Sequence, residues 1–115
     1  MRLQRVLQNL VTNAVQALQV TPKPHIRVRA WVKDSTFYLT VKDNGPGIPA
    51  AIQSQLFEPF VTFGKKEGIG LGMAIVRNIV TAHGGTITFE TGPKQGTAFL
   101  ISLPQKNVTA RSLGR

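Results

Sequence analysis

Asp43-Asn44-Gly45-Pro46-Gly47 closes a run of alternating apolar residues, and Gly68-Ile69-Gly70-Leu71-Gly72 opens a helical one. A carboxylate at the end of an apolar strand can accept a hydrogen bond from an exocyclic amine, and Gly45 and Gly47 leave backbone room beside it for a flat ring. Glycines at the start of a helix permit close approach to phosphate and offer it backbone N–H groups. One nucleotide could be held at both ends by these two segments, which makes ATP the first ligand to consider. Each segment also has a plainer reading. Asp-Asn-Gly-Pro-Gly is turn-like in any protein, and a lone glycine-rich turn is weak. The second cluster is not a P-loop, because no Gly-Lys-Ser/Thr follows. Nor is it a dinucleotide fingerprint, since the spacing differs and no strand precedes it.

Asn9 and Asn13 are one helical turn apart and point the same way. Their amide oxygens are hard neutral ligands suited to Mg²⁺, although two such residues also suit a polar helix surface. His25 begins a strand and His83 sits in a last helical turn, where partial positive charge is favoured; both read as structural. Glu58 reads as a capping or loop-fixing residue, and no Ser-His-Asp arrangement is suggested.

The elements that must position these residues follow from periodicity. Leu3, Val6, Leu7, Leu10, Ala14 and Leu18 define an amphipathic helix from Leu3 to Val20, ended by Thr21-Pro22-Lys23-Pro24. Ile26, Val28, Ala30 and Val32 alternate with Arg27, Arg29, Trp31 and Lys33, as in a half-buried strand. After an Asp34-Ser35 turn, Phe37, Leu39 and Val41 form its hairpin partner, which delivers Asp43. Pro49 starts a short helix over 50–56, and 57–68 is a loop. Leu71 to Ala82 is helical with Ile75, Val76, Ile79 and Val80 inward, and Gly84 is its cap. Thr86–Thr91 and Thr97–Leu103 form a second hairpin. Helices and antiparallel hairpins in this order predict an α+β two-layer sandwich with helices on one face. Residues 1–105 form one domain and 106–115 a basic, frayed tail.

The chain has 115 residues, no cysteine and a formal net charge of +9. It can bury a modest core, and it has no disulfide or Cys-based metal site. It contains neither a spanning apolar run nor a signal-peptide core, so a cytoplasmic location is expected, either on its own or as the cytosolic part of a membrane-bound sensor. The basic residues are scattered, and no aromatic-plus-basic RNA-binding module is evident. An anionic nucleotide or an acidic partner explains the charge as well as nucleic acid does.

Together the segments resemble the catalytic, ATP-binding domain of two-component sensor histidine kinases, in the superfamily of DNA gyrase, MutL and a heat-shock chaperone. Asn9-Leu10-Val11-Thr12-Asn13-Ala14 is similar to the family's asparagine box. Asp43-Asn44-Gly45-Pro46-Gly47 and Gly68-Ile69-Gly70-Leu71-Gly72 resemble its two glycine boxes, and Phe57-Glu58-Pro59-Phe60 its phenylalanine box. His83-Gly84-Gly85 and Gly96-Thr97-Ala98-Phe99 follow in the family's order. Ala14-Val15-Gln16-Ala17-Leu18 most resembles the nitrogen-regulatory type.

The resemblance implies the Bergerat fold, a mixed, mostly antiparallel sheet. It implies that Asn13 coordinates Mg²⁺ and that Asn9 supports the ion through water. Asp43 would take the adenine amine, with Gly45, Gly47, Ile48 and Thr97 around the ring. Gly68, Gly70, Leu71 and Gly72 would face the phosphates. Residues 57–68 would be an ATP lid anchored by Phe57 and Phe60; Lys65 or Lys66, which no family box assigns, is expected from its place beside the glycine cluster to reach the γ-phosphate. The implied acceptor is a histidine on a separate dimerisation domain, which passes the phosphoryl group to a response regulator. The full-length kinase would be a homodimer.

Some departures bear on this. Superfamily ATPases carry a water-activating Glu where Asn9 stands, which favours transfer to a protein over hydrolysis. The chain has no His-Glu or His-Asp acceptor motif and no preceding dimerisation helices. It starts inside the asparagine-box helix, so the family's first strand and helix are expected to be missing and the sheet to have four main strands. A non-catalytic nucleotide-sensing or docking module is the alternative, followed by an anti-sigma-type serine kinase or an ATPase.

Overall fold

The computed structural model describes residues 3–58, 72–93 and 95–105. The elements run α1 (Leu3–Ala17), β1 (Ile26–Lys33), β2 (Thr36–Asp43), α2 (Ala50–Gln53), α3 (Gly72–Ala82), β3 (Thr86–Gly92) and β4 (Gly96–Pro104). The strands form one sheet in the order β1-β2-β4-β3, and every neighbouring pair is antiparallel. The sheet expected from the resemblance was mixed; no parallel pair occurs among the described residues. With the helices packed on one face, the two-layer arrangement is as expected.

α1 and α3 pack on each other; α1 lies against β2 and β1, and α3 against β3. Val6, Leu10 and Ala14 repeat every fourth residue of α1, so they form one buried row, and Leu18 continues it. α1 ends at Ala17, short of the expected Val20. There the Leu18 amide is shared between the Ala14 and Val15 carbonyls, and Gln19 N–H donates to Gln16. The last turn thus tightens before the Pro22 and Pro24 segment. Leu39 and Val41 of β2, Phe99, Ile101 and Leu103 of β4, and Val76 and Val80 of α3 complete the core. Each such side chain, fully buried, contributes about 1.5–3 kcal/mol.

Both hairpin-turn residues, Asp34 and Ser35, have positive φ, 52° and 60°. This is the twist-compatible tight turn that joins β1 to β2. α3 ends as expected at Gly84 (φ 74°), with Gly85 N–H donating to Val80 and Gly84 N–H to Thr81. His83 donates from Nδ1 to the Ile79 carbonyl, 2.8 Å away, which is the structural role expected of it.

β1 corrects the expectation of a half-buried strand. Only Ile26 packs against the core, while Val28 is 45% and Val32 64% exposed. The physical reason is position: β1 is one edge of the sheet, α3 lies against β3 at the other edge, and α1, shared between β2 and β1, leaves most of the length of β1 uncovered. The second half of the expected 50–56 helix is turn rather than helix, although Leu56 is still buried. Among the described residues, no helix is long and apolar enough to cross a membrane.

Candidate functional site

Asp43 is the last residue of β2, and alternation turns its side chain to the core face beside Val41. The carboxylate is therefore buried, 7% exposed, where a core residue would sit. Its Oδ1 accepts from Gly45 N–H at 2.9 Å and from Thr97 N–H at 3.3 Å. Among the described residues nothing donates to Oδ2. The residue is buried as a whole, yet Oδ2 is not among the covered side-chain atoms that lack a partner, so this oxygen keeps an opening through which a donor can reach it.

Four backbone segments meet around this group. Gly96 (φ 79°) packs so closely that a side-chain carbon would overlap the Asp43 carbonyl oxygen. Gly47 (φ 87°) lies on the β3–β4 hairpin, where a Cβ would come within 2.5 Å of the Gly92 oxygen. These glycines permit backbone to approach backbone. Gly45 is tight as well, against the Ala17 carbonyl at the end of α1. The room expected at Gly45 and Gly47 is thus taken up, at the Cβ positions, by neighbouring chain.

Two residues outside the expected set hold these segments. The Asn44 side chain accepts from His25 N–H (2.7 Å) and donates to the Lys23 carbonyl (3.1 Å), clamping the α1–β1 connection to the Asp43 loop. The Thr91 hydroxyl accepts from Ile48 N–H (2.9 Å), donates to the Gly96 carbonyl (3.1 Å) and pairs with the Thr97 hydroxyl (2.9 Å). Strand parity contained the signal for Thr91, since the hairpin register sets it opposite Thr97.

Asn13, Asp43, Gly47, Ile48 and Thr97 share a small hollow of about 20 Å³. It lies beside an open cleft of about 550 Å³ formed by the end of α1, the 46–50 loop with Gln53, and residues 91–93 of the hairpin. That volume is in the range of small-ligand sites. Gln53 braces the rim by donating from Nε2 to the Ile48 carbonyl at 2.9 Å. Asn13 lines both spaces. One turn earlier on α1, Asn9 has a covered side-chain nitrogen with no partner, and Gln16, on the cleft wall, has a covered oxygen in the same state. The Gln16 amide is thus a cleft-wall group with hydrogen-bonding capacity to spare, whereas Asn9 lines neither space. No cluster of three His, Cys, Asp or Glu side chains occurs among the described residues.

The remaining expected residues lie elsewhere. Phe57 packs edge-on against Phe89, 6.1 Å between ring centres, under the Arg77 guanidinium at 5.8 Å. Gly72 is the first residue of α3. Phe60, Lys65, Lys66, Gly68, Gly70, Leu71 and the 106–115 tail lie outside the described residues.

A buried carboxylate, glycine-enabled crossings and a cleft with amide side chains on its wall thus lie together. The family described as histidine kinase-, DNA gyrase B- and HSP90-like ATPase matches residues 1–107. The chain belongs to that family. It is 46% identical over 102 residues to the C4-dicarboxylate transport sensor protein DctB of Rhizobium meliloti, covering 89% of this chain and 16% of DctB. The sensory histidine kinase/phosphatase NtrB of Salmonella typhimurium is 37% identical over 112 residues, covering 90% of this chain and 32% of NtrB. The chain thus spans a third or less of these relatives. Full-length ShkA, solved in complex with AMPPNP, superposes with a TM-score of 0.76 at 32% identity, covering 90% of this chain and 21% of ShkA. The chain is an ATP-binding catalytic domain of the sensor histidine kinase kind.

Proposed function

We infer that this domain binds Mg-ATP and supplies the γ-phosphoryl group to a histidine on a separate dimerisation domain, from which a response regulator receives it. The observation that carries the reading is the Asp43 carboxylate, with one oxygen held by two backbone amides and the other left for a donor. An adenine amine is such a donor, and the ShkA complex with an ATP analogue supports the choice.

The residues fit Mg²⁺. The ion takes few protein oxygens, keeps waters and uses substrate phosphates for the rest. Asn13 would hold it and Asn9 would support it through water. When bound, Mg²⁺ neutralises charge on the phosphate oxygens. The chain's own part is positioning. Asp43 and Thr97 fix the base, Gly45, Gly47 and Ile48 shape its surroundings, and Asn13 sits on the wall where the base hollow opens into the wider cleft. Gly68, Gly70, Leu71 and Gly72 are proposed to meet the phosphates, with Lys65 or Lys66 at the γ-phosphate and Phe57 and Phe60 anchoring the segment between. An Asn9 amide cannot take a proton from water, which favours transfer to an imidazole over hydrolysis.

Calorimetry with a non-hydrolysable ATP analogue, with and without Mg²⁺, tests the site. Asp43→Asn keeps an acceptor for the two amides but can place an N–H₂ towards the base. Affinity is expected to fall by at least about 2 kcal/mol, roughly thirtyfold, with the thermal midpoint little changed. Equal affinity in the variant would remove Asp43 from the site. Labelled ATP with an added dimerisation domain should then give acid-labile product on that domain. Acid-stable product or free phosphate would point to a serine kinase or an ATPase instead, and binding without transfer to a nucleotide-sensing module.

A further inference from the structure

The sheet has a second face, opposite the helices and away from the nucleotide cleft. Alternation places Arg27, Arg29, Trp31 and Lys33 of β1 on it, with Lys42 and Tyr38 of β2. None of the described residues packs over it. Its cations are exposed, and none has a carboxylate partner among the described residues. Arg27 and Lys42 are direct cross-strand partners, an arrangement of like charges that costs stability. Beside them a hollow of about 170 Å³ is lined by His25, Arg27, Lys42, Asp43 and Asn44. Asp43 does not neutralise it, because its carboxylate is turned to the core face. Among the described residues the one acid that alternation places on the open face, Glu90, lies in the same row but two strands from Lys42, about 10 Å away by strand spacing.

We propose that this open face is a docking site for an acidic polypeptide segment of a partner protein. Three features select that occupant. Unneutralised like charges set opposite one another are relieved by anions, so binding recovers what folding gave up. Arg27 and Arg29 are two residues apart on one strand face, about 7 Å, the repeat of alternate carboxylates on an extended chain. The aromatic rings argue against nucleic acid. Trp31 and Tyr38 stack on one another at 5.3 Å and 18°, with the Arg29 guanidinium 5.8 Å from the Trp31 centre, so the platform that bases would use is already occupied. The segment's carboxylates pair with Arg27, Lys42 and Arg29, the first of them seated in the hollow.

Trp31 is the only tryptophan, so its fluorescence reports on this face directly. The probe is a short peptide alternating Glu with Ser, titrated at low salt. A saturable change in Trp31 emission that weakens with salt is expected. Arg27→Glu should reduce affinity about tenfold or more, while Arg5→Glu on α1, with the same change in net charge, leaves it within about twofold. Arg27→Glu also removes the clash with Lys42, so its thermal midpoint should not fall, which separates lost docking from lost folding. Equal losses in both variants would reduce the effect to bulk charge and overturn the proposal. An oligothymidylate of matched charge that binds as tightly as the peptide, or the absence of any Trp31 response, would overturn it as well.

Discussion

β1 and β2 read almost alike, and they end in opposite situations. Both alternate apolar with polar residues, and they pair along their whole length. Yet Leu39 and Val41 of β2 are 3% and 2% exposed, against 45% and 64% for Val28 and Val32 of β1. Alternation assigns a side chain to a face of the sheet; it does not say whether anything lies over that face. β2 and β4 form the floor on which Asp43 is held. β1 forms a margin that supplies charge and little core.

The contrast can be tested by substitution. Gly96→Ala strikes the crossing under Asp43, where both the positive φ and the carbonyl overlap oppose a side chain. It should cost about 4 kcal/mol in denaturant unfolding, and near-neutral behaviour would mean the floor is not tightly built. Ile101→Ala opens a cavity in the middle of β4, where the residue is 0% exposed. About 3 kcal/mol is expected from the same experiment. Val32→Thr, on the core-side face of the margin, should change stability by no more than about 0.5 kcal/mol. A loss as large as that of Ile101→Ala would show that the margin is packed after all.

Much of this was legible in the sequence because it depends on local repeats. The four-residue row of α1, both hairpins and the Gly84 cap follow from periodicity and turn chemistry. Asp43 was found because an acid at the end of an apolar strand breaks the pattern. What stayed hidden depends on pairing across the sheet. The close crossings at Gly47 and Gly96 involve chain forty residues or more away in sequence. Nothing local distinguishes a glycine that spares room for a ligand from one that spares room for Gly92. Asn44 looked like a turn residue, and its work as a clamp became visible only once His25 and Lys23 stood beside it. The exposure of β1 was missed for the same reason, since cover is a property of neighbours.

The hydroxyl pair of Thr91 and Thr97 carries a consequence for base selection. With Thr91 spending its single hydrogen on the Gly96 carbonyl, the hydrogen between the two hydroxyls must come from Thr97. Thr97 then turns only lone pairs to the hollow, next to the lone pairs of the Asp43 carboxylate. In the proposed adenine contact the lining at this end is electron-rich on both sides. A purine bearing an amine at that edge would meet two acceptors, and one bearing a carbonyl would meet repulsion from both, so the direction of one hydroxyl hydrogen adds Thr97 to Asp43 in favouring adenine over hypoxanthine or guanine at the proposed contact.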